Sequence, residues 1–230
     1  MTTPLEEAKA LIAEARCEEA ARLLGPLTNC GNAEADYLFG SILFNSNEDV
    51  IPREEAIAAL RRAAALDHPE ACYWASVTSL DADGSICVYQ PLVDRDLLVH
   101  AAELGCTEAQ RRVGCLHVDG EDGFPKDLEV TRHWYARAAE QGEAYSQYDL
   151  GWMMLAGEGG PTDQAAGLRW LETCAMRNEP LISASAADFL ATVFEDGLYG
   201  LPADPIVADQ WRRRERELQE AEAARAREKS

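Results

Sequence analysis

An all-α solenoid of stacked helix–turn–helix units is the fold class that the sequence predicts, and three observations predict it. The first is a period: the small residues Gly40, Ser76, Gly114, Gly151 and Ala191, each near the middle of a helical pattern, follow at steps of 36, 38, 37 and 40 residues. The second is an independent set of landmarks, Ala63-Ala64, Ala101-Ala102, Ala138-Ala139 and Cys174-Ala175, with steps of 38, 37 and 36. The third is recurring punctuation. Glycine-rich turns at Gly120, Gly157 and Gly197 each lead to an aspartate, and Asp127, Asp163 and Asp204 each stand seven residues before a tryptophan, Trp134, Trp170 and Trp211. Self-similarity at about 20–50 residues means that each repeat is one supersecondary unit stacked on its neighbours.

The elements follow in order. From Leu5 to Leu27, apolar residues at helical spacing (Leu5, Ala8, Leu11, Ile12, Ala15, then Ala20, Leu23, Leu24) predict a helical hairpin broken near Arg16. Residues 1–30 are expected to cap the first repeat. The clearest unit runs from Thr107 to Gly142. Ala109 and Gly114 allow a second helix to approach closely, and Gly120 suits a left-handed helix end. Asp127 is placed to cap the next helix, Trp134, Tyr135, Ala138 and Ala139 fill that helix, and Gly142 closes it. Second helices are expected to end at Asp67, Gly105, Gly142 and Asn178, all tolerant of a left-handed conformation. In the second unit the connection from Asp81 to Val93 is long and carries Ile86, Val88 and Tyr89; it either shields the stack or contributes to a binding surface. After Leu218 the final helix loses its apolar stripe, so residues 219–230 are expected to form a charged helical tail that frays.

These residues resemble the Sel1-like repeats, a branch of the tetratricopeptide-type helical solenoids. The third unit matches through Ala109, Gly114, Gly120, Gly123, Asp127, Trp134, Tyr135, Ala138, Ala139 and Gly142, departing at Val113 and His117. The fourth matches through Leu150, Gly151, Gly157, Gly159, Asp163 and Trp170, and the first two lack the glycine turn. The resemblance implies a right-handed α-α solenoid of about five units over residues 31–218. It also implies that the first helices line a concave, partner-binding surface.

Composition narrows the function. The net charge is −20, and since residues from Trp211 onward carry +2, the body before them carries −22. Such a surface repels nucleic acid and anionic membranes and speeds association with a basic partner, although solubility alone also accounts for it. The N-terminal segment is acidic where a signal peptide is basic, and no apolar run reaches membrane-spanning length, so a cytoplasmic location is expected. Seven cysteines without a CxxC pair read as small buried thiols. Four histidines occur without HExxH or HxH, and neither GxSxG nor a phosphate loop is present. No catalytic, metal or cofactor residues are assigned, and none of these ligands is expected.

Setting each landmark to zero and advancing 100° per residue groups the small and apolar positions on one side. The positions left over hold Tyr37, Leu38, Tyr73, Trp74, Arg112, Tyr145, Tyr148, Asp149, Trp152 and Phe189, with Val77 and Arg111 beside them. Aromatics not needed for packing suit a protein-binding groove; the competing explanation is packing between adjacent repeats. Trp134, Trp170 and Trp211 share one repeat position and read as core. The expectation is a non-catalytic scaffold, monomeric when free, that binds another, basic protein on its concave face, as an adaptor, or as an immunity protein or inhibitor of a basic toxin. The alternative is a regulator or enzyme that uses the groove for a small molecule or glycan.

Overall fold

The computed structural model describes residues 3–46, 50–80, 86–88 and 94–228. The expected apolar connection from Asp81 to Val93 lies outside them except for Ile86–Val88. Among the described residues there are twelve α-helices and one two-stranded sheet, so the fold is all-α, of the helix-pair solenoid class. The chain forms two compact units, Met1–Val113 and Gly114–Ser230.

In the first unit a hairpin of α1 (Pro4–Ala13) and α2 (Cys17–Leu24) precedes the pairs α3 (Ala33–Asn45) with α4 (Arg53–Ala64) and α5 (Pro69–Val77) with α6 (Arg95–Glu103). Thr3 caps α1 through the Glu6 N–H. Ala15 belongs to the turn and not to the helix, at a left-handed φ of 58°. Ala8, Leu11, Ala20 and Leu24 are buried in one core with Phe39 and Ile42 of α3. The second pair carries a sequence-silent feature, antiparallel strands β1 (Thr78–Leu80) and β2 (Ile86–Val88) paired from Thr78 with Val88 to Leu80 with Ile86. α7 (Thr107–Asp119) spans the boundary between the units.

The second unit continues with α8 (Leu128–Glu140), α9 (Ala144–Ala156), α10 (Gln164–Ala175), α11 (Pro180–Asp196) and α12 (Pro205–Glu228). Its turns obey one rule. Asp127, Asp163 and Asp204 cap the helices that follow, accepting backbone N–H groups through Oδ1. Each also donates its own N–H to a carbonyl three residues past the landmark: His117 at 2.8 Å, Met154 at 2.9 Å and Phe194 at 2.8 Å. The landmark glycines are set by contact. A Cβ on Gly114 would stand 2.6 Å from the Tyr135 ring, and one on Gly151 would stand 2.7 Å from Leu171 Cγ.

One expectation is corrected. Asp67, Gly105 and Gly142 take the left-handed cap but Asn178 does not; the chain there leads directly into Pro180, which opens α11. α12 continues past its apolar stripe to Glu228, and Leu218 within it is only 3 % exposed. Alanine, glutamate and arginine are strong helix formers, and Gln219 donates to Glu215 one turn back, so the end of this helix does not depend on a buried face.

Candidate protein-interaction surfaces

In the first unit, the aromatics left over by the repeat pattern bridge consecutive repeats. The Tyr37 ring stacks on His68 at 4.3 Å, and Trp74 stacks on Phe44 at 4.2 Å while meeting Tyr73 edge-on. His68 is held on both sides: Nδ1 accepts from the Ala71 N–H and lies 3.2 Å from a Glu70 carboxylate oxygen, and Nε2 lies 3.1 Å from a Glu34 carboxylate oxygen. Burial, reinforced by the nearby Glu70 carboxylate, pushes the Tyr37 phenol up to about 12. Leu38 and Tyr73 are core residues, 6 % and 4 % exposed, and offer nothing to a partner. α3 touches both its own second helix and, through Phe44 and Trp74, the next first helix, so its apolar arc is wider than a single seam. Arg112 is half-buried on α7.

The second unit separates packing from presentation. Tyr145, Tyr148, Asp149 and Trp152 lie at i, i+3, i+4 and i+7 of α9, which places them on one stripe. Tyr148 is half-buried and meets Phe189 of α11, centroids 6.0 Å apart, and Phe189 in turn meets Tyr199. Burial raises the Tyr148 phenol, with the Asp149 and Asp188 carboxylates acting in the same direction. Tyr145 and Trp152 stay 48 % and 39 % exposed. Of the ten candidate residues, these two with Asp149 form the accessible set in this unit. Trp134 is buried beneath Arg137, whereas Trp170 and Trp211 are only half-buried.

A polar device escaped the sequence reading. Four residues before the landmark, Cys72, Gln110 and Gln147 each donate to the carbonyl eight residues earlier: Ala64 at 3.5 Å, Ala102 at 3.1 Å and Ala139 at 3.2 Å. Those carbonyls lie in the last turn of the preceding second helices and also accept the N–H of Asp67, Gly105 and Gly142, so the side chain is a second donor to each. The first repeat has Asp36 at this place, buried and bound to Arg62. The fifth has Ala187, which has no donor, and Arg214 of α12 supplies one to the Ala175 carbonyl. The signal was a donor recurring at one repeat position, obscured because thiol, amide and guanidinium look unrelated.

A groove of about 510 Å³ lies between α11 and α12, with Leu181, Ala184 and Leu218 among its lining. Buried thiols flank the repeats: burial raises Cys72 to about 11, and Cys106 and Cys174 to about 12, which keeps them protonated and poorly nucleophilic at neutral pH. His117 is held through Nδ1 by the Pro125 carbonyl at 2.8 Å and lies edge-on to Phe124. Among the described residues, no helix is long and apolar enough to cross a membrane.

Comparison with known proteins agrees with this architecture. The Sel1 repeat model matches residues 107–143, 144–178 and 184–211. No curated protein matches the sequence. A Sel1 repeat protein from Oxalobacter formigenes is similar in structure with a TM-score of 0.60 at 22 % identity, over 86 % of this chain and 76 % of that one. A protective antigen of uropathogenic Escherichia coli gives 0.59 at 21 %, over 91 % and 53 %. An immunity protein from Pseudomonas aeruginosa gives 0.52 at 19 %, over 92 % and 81 %. At these identities the likeness concerns the fold, and Sel1 repeats point to a protein-interaction scaffold. With three matched repeats and the fold of solved Sel1-repeat proteins, residues 107–178 and 184–211 are Sel1 repeats and the chain has a Sel1-like helical fold.

Proposed function

We propose that the chain is a non-catalytic, cytoplasmic scaffold, monomeric when free, that binds a basic protein through the α9 stripe. One observation carries the reading: on a helix whose other aromatic is packed against the next repeat, Tyr145 and Trp152 keep 48 % and 39 % of their surface open, one either side of Asp149. Large rings contribute disproportionately to interface energy when a partner covers them. The net charge of −20 favours a basic partner and fast association at low salt. Occlusion of a basic toxin or effector is the form of this function that we favour, since the Pseudomonas immunity protein shares the fold.

The test is affinity purification of the tagged chain from its native host at low and high salt. A stoichiometric basic protein released by salt and lost on Tyr145→Ala plus Trp152→Ala is the expected result. Retention of the partner by the double variant, or a partner with an acidic contact surface, would refute the reading.

A further inference from the structure

The outer side of the last helix pair is built differently from that of the pair before it. In the α9/α10 pair, Ala144 and Cys174 are covered: they share a core with Ile182 and Ala186 of α11, and the Cys174 thiol donates to the Ala144 carbonyl at 3.3 Å, with the Ile182 carbonyl 3.9 Å from Sγ. One repeat later the corresponding positions are Ala184, seven residues before its landmark as Ala144 is, and Glu215, four after its tryptophan as Cys174 is. Both line the open groove between α11 and α12. The groove is apolar, lined by Leu181, Ala184, Leu218 and Ala223, with Leu181 72 % exposed.

The rim is acidic. Asp188, Glu215 and Glu222 line the groove and no basic residue does. Arg212 pairs with Asp188 and Glu215 from outside the lining and offsets only part of that charge.

We propose that this groove takes one amphipathic helix of a basic partner protein, its bulky aliphatic side chains set over the alanines and its Lys and Arg residues along the carboxylate rim. The proposal rests on the protein-binding role given above but not on the α9 stripe. Alanines at 184 and 223 leave depth for a Leu or Ile knob, and Leu181 and Leu218 wall it in, as in helix-in-groove recognition. The α12 side runs from Glu215 to Ala226, about 16 Å at helical rise, which matches about three turns of a partner helix. A second copy of the chain is disfavoured by charge, because it would set the same carboxylate rim against itself.

The probe is a capped helical peptide of about four turns with Leu at i, i+3, i+4 and i+7 and Lys on both flanks, titrated into the full chain by fluorescence anisotropy. Saturable binding is expected, about tenfold weaker when Glu replaces Lys and about tenfold weaker on Leu181→Lys plus Glu222→Lys. Leu181 is exposed and Glu222 half-exposed, so the fold should survive. Equal affinity for wild type and that double variant would overturn the proposal and reveal general attraction to an acidic body. A free chain that sediments as a dimer, and as a monomer once those two residues are changed, would overturn it in favour of self-association. Tyr145→Ala plus Trp152→Ala should leave peptide binding intact. Loss of the host partner by that variant and failure of the peptide are therefore separate results, and each surface stands or falls alone.

Discussion

The Arg214 guanidinium reaches the carbonyl of Ala175, Nε to O 3.1 Å, and through a terminal nitrogen also reaches the carbonyl of Arg177 at 3.0 Å. α12 thereby completes the end of α10, a task that a side chain on the first helix performs in earlier repeats. Charge-assisted bonds to partly buried carbonyls contribute about 1.5–3 kcal/mol. Arg214→Ala should lower stability by about 2 kcal/mol, read as a fall in the urea midpoint with an unchanged slope. Arg214→Lys should recover less than half, because one ammonium cannot span both carbonyls in a fixed fork.

Backbone geometry supplies the second expectation. Gly159 has φ +65° and a Cβ there would stand 2.0 Å from the Leu128 carbonyl oxygen, whereas Gly31 has φ +77° with nothing within 4 Å. Gly31→Ala should cost about 1–2 kcal/mol for the left-handed conformation alone. Gly159→Ala should cost at least about 3 kcal/mol, because the turn must also move away from α8. Equal costs in urea unfolding would show that the α8 contact contributes nothing.

Alkaline pH should destabilise the fold. The Tyr37 phenol is raised from 10 to about 12, chiefly by burial, so the folded state holds its proton more tightly than the unfolded chain does. That contribution is complete below pH 10 and is lost as pH rises from 10 towards 12. Cys106 and Cys174, raised from 9 to about 12 by burial, begin the decline at pH 9. Stability measured by urea between pH 8 and 11.5 should fall throughout the upper part of that range. Tyr37→Phe should make the fall above pH 10 shallower; an unaltered profile would remove Tyr37 from the account.

Packing and presentation can be told apart on α9. Tyr148 bridges to Phe189 and is half-buried, so Tyr148→Ala should cost about 2 kcal/mol. Trp152→Ala, on an exposed ring, should stay within about 0.5 kcal/mol of the parent. Thermal melts of the two variants decide between these roles before any partner is in hand.

Much of the architecture was written in short-range chemistry and could be read from the chain. The spacing from aspartate to tryptophan fixed the capped second helices because an N-cap must precede its helix by a set number of residues, and Asp127, Asp163 and Asp204 act as that spacing implies. The surface was less legible. A single helical phase treats Leu38 and Tyr73 as spare, but both are buried, Leu38 in the core that α3 shares with the α1/α2 hairpin. Tyr148 and Phe189 stand out in the chain as leftover aromatics, but their pairing does not, since the contact joins residues 41 apart with no shared motif. The α11/α12 groove was hidden further, because an apolar residue such as Leu181 looks like core in a helical pattern, whereas here it lines a groove and is 72 % exposed.

The carbonyl that ends each second helix at Ala64, Ala102 and Ala139 is answered by a side chain that belongs to the following repeat. This gives the array a grammar for growth. A duplication or deletion that begins and ends at the same phase keeps every answer next to its question, whereas one shifted by a few residues leaves a helix end calling to an alanine. Ala187 occupies that silent place in the fifth repeat, so new copies are accommodated most readily ahead of it, where the donors still come in series.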